Sequence, residues 1–305
     1  MSTEIIPLDL LYMDLPGAIG TYLIRSEDAA VLIEAGPANT IQHLESALAV
    51  HGMRVEDLDA CCVTHIHLDH AGAAGHLARR GVPIHVHAFG AKHLLDPSKL
   101  LASAQRIYGV GMKTLWGDTV PVPEDMIRPV DDRDAISTGA ITLHAVETPG
   151  HARHHHAFAL ELDGSSVCFC GDAAAMLLPG TNFVSLPMPP PEFDLDGWLH
   201  SIEVLRTGPW SRLLLTHGGA VDDIDGHLDR VVATMHHQVD FIQGLLDQPL
   251  SEQQRLADYR DMLAAKAERD GVPAAVFNDF VTDNLLGMNI AGIARWRLKK
   301  QEKHA

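Results

Sequence analysis

Basic side chains are scarce in this chain: 23 lysines and arginines stand against 40 aspartates and glutamates, a formal net charge of −17. Phosphate backbones are bound by concentrated Lys and Arg, so that balance argues against a nucleic-acid partner and against an anionic membrane surface. A local basic pocket for a small anionic substrate remains compatible with it. Long apolar runs are also missing. None approaches the ~20 residues that span a bilayer, so no membrane partner is expected. The start, Met1-Ser2-Thr3-Glu4, has neither a basic region nor the apolar core of a signal peptide, which makes the cytoplasm the expected location. Cysteine is limited to four residues. Cys61, Cys62, Cys168 and Cys170 all lie in apolar strand-like runs, where small buried packing is expected rather than a disulfide or a thiolate site. No G-x-S-x-G element is present, which removes the serine nucleophile elbow from consideration.

What is there fits a globular protein large enough to bury a substantial core: 305 residues, 46% hydrophobic and 21% charged. Ile5 to Met13 and Thr21 to Arg25 read as a hairpin whose Pro/Gly tip exposes apolar residues. Val31 to Glu34 is a further strand, and Thr40 to His51 an amphipathic helix ended near Gly52. A second helix is expected over roughly 71–80, and a strand from Val82 to His87. Residues 89–127 depart from strand–helix alternation and read as an inserted helical flap, with simple edge packing as the alternative. Met176 to Trp198 forms an apolar, Pro-rich loop that either lines an entrance or connects rigidly. From Asp225 onward the stretches Leu228–Leu246, Ser251–Arg269 and Ala274–Arg297 have helical spacing and carry no further chemical motif. Residues 1–224 are therefore expected to form one domain, and 225–305 a helical extension that is either structural or a homodimer surface.

The densest chemistry is the run Thr64-His65-Ile66-His67-Leu68-Asp69-His70. It follows the apolar strand Ala60-Cys61-Cys62-Val63 directly. Imidazole and carboxylate together suit divalent zinc, iron or manganese. His65 and His67 are separated by one residue, so in extended chain their rings point the same way. Asp69 and His70 follow at the turn and can face a second position. Three more such residues each follow a strand end: His151 after Thr148-Pro149-Gly150, Asp172 after Phe169-Cys170-Gly171, and His217 after Leu213 to Thr216. Loops at strand ends are where α/β enzymes present chemistry.

The order H-x-H-x-D-H, then H, then D, then H resembles the metallo-β-lactamase superfamily, most closely its glyoxalase II-like and lactonase-like hydrolases. Classical zinc β-lactamases have cysteine where this chain has Asp172 and lack a histidine matching His70. The resemblance implies an α/β fold, a four-layer αβ/βα sandwich with a C-terminal helical extension. It implies two divalent metal ions, zinc first with iron or manganese as alternatives. His65, His67 and His151 would hold one metal; Asp69, His70 and His217 the other; Asp172 would touch both. Glu34 stands where the family has an aspartate that supports the ligands from behind. Asp69 is also the catalytic candidate that orients the attacking water. The implied reaction is metal-dependent hydrolysis of an ester-like acyl bond in a small molecule, thioester or lactone, by metal-bound hydroxide.

Competing readings are a persulfide dioxygenase-like enzyme with one iron, an RNase Z-like phosphodiesterase that the net charge disfavours, and a ligand-sensing protein that retains metals with little turnover. Among the other histidines, His155 is expected behind the ligands rather than among them. His85 and His87 are read as structural, without an acidic companion. His236-His237 on a helix makes a poor chelate. Tyr108, in the flap, is the tyrosine expected beside the site, with Tyr12 and Tyr22 packing in the first hairpin. Arg295, Arg297, Lys299 and Lys300 are read as complementing a helix C-terminus, the alternative being contact with an anionic tail.

Overall fold

The computed structural model describes residues 3–162 and 164–304. The first sheet takes its strands in chain order: β1 (Glu4–Asp9), β2 (Gly20–Arg25), β3 (Ala30–Ile33), β4 (Ala60–Cys62), β5 (Ile84–His87) and β6 (Ile127–Val130). β1 to β3 pair antiparallel, and β3 to β6 pair parallel. The second sheet uses β7 (Ala135–Thr138), β8 (Ile141–Glu147), β9 (His156–Leu162) and β10 (Ser165–Gly171). A short separate ribbon, β11 (Met176–Leu177) with β12 (Val184–Ser185), intervenes before β13 (Trp210–Leu215) and β14 (Gly219–Val221) return to it. Its order is β14-β13-β10-β9-β8-β7, antiparallel except between β10 and β13.

Two-residue alternation explains why these strands are apolar on both faces. Tyr22, Ile24, Val31, Ile33 and Cys62 point between the sheets, where they meet Phe158, Leu160, Phe169 and Leu214. The alternate residues Leu23, Leu32 and Cys61 point outward into a core with the helices of the first half. Cys168, Cys170, Leu213 and Leu215 point the other way, against the C-terminal helices. Helix, sheet, sheet, helix is the resulting layer order, the expected four-layer sandwich. All four cysteines are buried free thiols.

The helices are α1 (Ile41–Val50), α2 (Leu68–Ala71), α3 (Ala74–Ala78), α4 (Ala88–Leu95), α5 (Ser98–Tyr108), α6 (Met112–Trp116), α7 (Leu195–Thr207), α8 (Ile224–Leu246), α9 (Glu252–Arg269), α10 (Ala274–Phe280) and α11 (Asp283–His304). Two differ from the sequence expectation. The single helix expected over roughly 71–80 begins earlier, at Leu68, and breaks after Ala71. Its His70 carbonyl is occupied by the amides of Ala35 and Gly36, and the Ala73 amide turns to the Gly36 carbonyl, so the ladder cannot continue. The last helix is two, because Val281 leaves helical geometry and the Thr282 hydroxyl accepts from the Leu285 amide to start α11. Among the described residues no helix is long and apolar enough to cross a membrane.

Candidate metal centre

Every strand end singled out in the sequence converges on one edge of the sandwich. His65 and His67 lie in the bend that follows β4. His67 then starts α2 from extended geometry (φ −61°, ψ 156°), so Asp69 and His70 sit on a helical turn and face a different direction from the first pair. His151 follows Gly150, whose φ is +135°; a Cβ there would stand 2.2 Å from the Trp198 backbone, so only glycine lets the loop pass α7. Asp172 follows Gly171 (φ +49°), where a Cβ would press on Thr64 Oγ1 at 2.4 Å. His217 leaves the end of β13.

Two groups form. His65 Nε2, His67 Nδ1 and His151 Nε2 lie 2.8–3.2 Å from one another. Ligands about 2.0–2.1 Å from one tetrahedral zinc would be separated by roughly 3.3 Å, so a shared cation fits this triangle. The second group is Asp69, His70 and His217: Asp69 Oδ2 lies 3.7 Å from His70 Nε2 and 3.5 Å from His217 Nε2. Asp172 faces both. Its Oδ2 is 3.3 Å from His151 Nε2, while its Oδ1 is 3.4 Å from His70 Nε2 and 3.6 Å from His217 Nε2. His70 Nε2, His217 Nε2 and Asp172 Oδ1 are buried with no hydrogen-bond partner among the described residues. Orphaned buried atoms of this kind are costly unless something outside the protein engages them. A divalent cation accounts for all three.

The nitrogens facing away are each held. His70 Nδ1–H donates to Glu34 Oε1 (2.9 Å), His151 Nδ1–H to the Pro187 carbonyl (2.8 Å) and His217 Nδ1–H to the Ala18 carbonyl (2.7 Å). These bonds leave each Nε2 lone pair free and fix the ring orientation. Glu34 is fully buried and also accepts from the hydroxyls of Thr64 (2.6 Å) and Thr216 (3.2 Å). The longer carboxylate thus ties the β3, β4 and β13 ends to one ligand. His155 stands behind the ligands: its Nε2 accepts from the Asp172 amide (3.2 Å), and its Nδ1–H donates to Thr148 Oγ1 (2.8 Å).

Electrostatics divides the site. Burial, then neighbouring imidazoles, pushes His65 well below the ordinary histidine value and His67 down to about 3, so that side presents neutral nitrogens. His70 goes the other way: burial opposes it, but Glu34, Asp172 and Asp69 hold it well above the usual value. Burial likewise opposes ionisation of Asp69, yet His70 and His217 bring it down to about 2.

The group opens onto a cavity of about 330 Å³, with His67, Asp69, His151 and Asp172 on its wall. Tyr108 lines it, as expected of the flap residue. Tyr12 packs against the core that holds Leu8, Leu10 and Ile19 of the first hairpin and also stacks on Trp116 of α6 at 5.7 Å; its phenol is pushed up by burial and then by Asp69. Tyr22 reaches across to the second sheet, donating to the Leu215 carbonyl (2.6 Å). His87 does have an acidic companion, Glu147 at 3.9 Å, and also accepts from the Phe89 amide at the start of α4. His154, unremarked in the sequence, is buried beside His67 and lines the cavity. Only its position in the His154-His155-His156 run signalled it. Of the C-terminal cations, Arg297 pairs with Asp247, Arg295 with Glu302 and Lys300 with Asp196, while Lys299 donates to the Pro191 carbonyl. Each of the four thus has a partner within the fold.

Comparison with known proteins points to one family. A metallo-beta-lactamase fold-containing protein of Sulfurisphaera tokodaii is 24% identical over 233 residues, covering 74% of this chain and 84% of its own length. A hydroxyacylglutathione hydrolase of Aeromonas salmonicida is 26% identical over 151 residues, half of this chain and 44% of the hydrolase. Among solved structures, a metallo-beta-lactamase family protein from Thermus thermophilus superposes with a TM-score of 0.68 at 19% identity, covering 98% of this chain and 94% of the other. The family profile described as the metallo-beta-lactamase superfamily matches residues 15–217, and the chain belongs to that superfamily.

Proposed function

We propose that this protein is a hydrolase with two divalent metal ions that cleaves an ester-like acyl bond, a thioester or a lactone. The observation that carries the reading is Asp172, whose two oxygens face different groups of ligands. His65, His67 and His151 would hold one ion, Asp69, His70 and His217 the other. The nitrogen and oxygen donor set suits zinc, with iron or manganese as alternatives. Bound there, such a pair supplies hydroxide near neutral pH and polarises a carbonyl oxygen.

The chain's own residues supply the rest. Asp69 is only partly buried and lies on the cavity wall, where its carboxylate accepts a hydrogen bond from the attacking water and aims its lone pair. Tyr108 lines the same space with a phenol that burial, then Asp69, keeps protonated, so it donates a hydrogen bond to substrate. Phe89, Leu100, Trp116 and Pro189 give apolar walls for an acyl group and exclude water. The hydroxyacylglutathione hydrolase relative is named for a thioester substrate, which favours that class here.

The test has two parts. Metal analysis of the purified protein is expected to give two ions per chain. The loaded protein is then assayed on acyl-glutathione, acyl-CoA and lactone panels, with turnover of at least one expected. Failure on all three with two metals bound rejects the hydrolytic reading. A single iron with substrate-dependent oxygen consumption would replace it with dioxygenase chemistry.

A further inference from the structure

In a chain with 40 acidic residues against 23 basic ones, an unpaired cation at a pocket is worth explaining. Helix α5 places Lys99, Ser103 and Arg106 along one cavity wall, at spacings of four and three residues that share a helix face. Neither Lys99 nor Arg106 has an ion-pair or hydrogen-bond partner among the described residues. Across the mouth, Arg153 is held over the face of Phe89 at 3.8 Å and bonded to Glu192 at 2.9 Å. That bond neutralises Glu192, the acid on the wall outside the ligand groups. His93 reports the same field: after burial, Lys92, Lys99 and Arg153 lower its pKa.

We propose that this mouth selects acyl substrates carrying a second anionic group, a carboxylate or phosphate remote from the bond that is cut, with Lys99 and Arg106 as its principal contacts and Arg153 lending charge. The proposal rests on the hydrolytic reading of the adjoining ligands. The physical case is a contrast. The net charge of −17 repels an anion at long range, and two cations without an ion-pair partner among the described residues, on a low-dielectric apolar wall, reverse that locally. The C-terminal cations, the other candidates for such a tail, are engaged with Asp247, Glu302, Asp196 and the Pro191 carbonyl. Both α5 cations are exposed at their tips, so removing them leaves the fold intact.

The experiment compares succinate, adipate, suberate and sebacate with the monocarboxylate of the same length, by calorimetry on the metal-loaded protein. Any carboxylate–metal contact is common to both members of a pair, so the difference reads the second charge. For at least one length the dicarboxylate is expected to bind about tenfold tighter. That gap should fall to about twofold or less in Lys99→Gln/Arg106→Gln, persist in the charge control Arg79→Gln/Arg269→Gln, and shrink with added salt. No gap in the parent protein at any length, or a gap that survives the α5 double substitution, overturns the proposal. A parallel assay uses thioesters or lactones with a free carboxylate against their methyl esters. If neither is turned over, the hydrolytic reading falls, while the binding comparison still decides this one.

Discussion

Asn289 should govern a metal ligand that it does not touch. It sits on α11, 2% exposed; its Oδ1 accepts from the Met188 amide (2.8 Å) and its Nδ2 donates to the Leu186 carbonyl (2.7 Å) and to Tyr259 Oη (3.2 Å). The residue between those two backbone groups is Pro187, whose carbonyl orients His151. Replacing Asn289 with Leu removes three hydrogen bonds and leaves the Met188 N–H and Leu186 C=O buried without partners. Tyr259 keeps its bond to Gln238, so it contributes less to the loss. At roughly 1–3 kcal/mol for each of the two orphaned groups, the expected loss of stability is about 2–6 kcal/mol, less than the stability of most domains. Loosening Pro187 frees the His151 ring, and loss of such outer contacts typically lowers metal affinity by roughly 10–100-fold. Urea unfolding of the metal-free protein gives the first quantity. Competition with a chelator gives the second. Unchanged stability together with unchanged metal affinity would refute the chain of contacts from α11 to His151.

Gly150→Ala places a Cβ against the Trp198 backbone at positive φ, adding roughly 1–3 kcal/mol of strain and a similar overpacking cost; calorimetric melting should show a clear drop and metal loading at His151 should fall. Glu34→Gln turns an acceptor toward Thr64, His70 and Thr216 into a group with an unwanted donor, so about 1–3 kcal/mol of stability and a tenfold or greater share of metal affinity should be lost, read by the same two assays. His85 titrates at about 4 in the fold, lowered by burial and then Arg128 from an ordinary value of 6.5. Between those values the unfolded chain binds more protons, so stability falls as pH drops from about 6.5 to 4; a flat urea midpoint over that window for the parent, or no flattening in His85→Asn, would contradict this.

The candidate metal-binding residues were readable because each needs only local information: a donor residue type placed in the loop or turn that follows an apolar strand. The layer order was an expectation of the family resemblance alone; in the fold, strands such as Val31–Ile33 and Val167–Cys170 are apolar on both faces because they lie between two layers. The break after Ala71 was not readable, because it depends on the His70 carbonyl meeting the Ala35 and Gly36 amides, a contact set by the loop after β3. Tyr12 reaching Trp116, and Asn289 reaching a loop a hundred residues earlier, are likewise products of tertiary approach without a local signature. Glu34 falls between. Its place before a strand-end glycine marked it, but its three partners come from two sheets.

In the proposed centre Asp172 joins two metal positions. Diffraction at a metal absorption edge, from crystals grown with bound ions retained, reads this out. Two anomalous peaks about 3.5–4 Å apart are expected, one beside His65, His67 and His151, the other beside Asp69, His70 and His217, with Asp172 in contact with both. A single peak at full occupancy, or two that do not share Asp172, would contradict it.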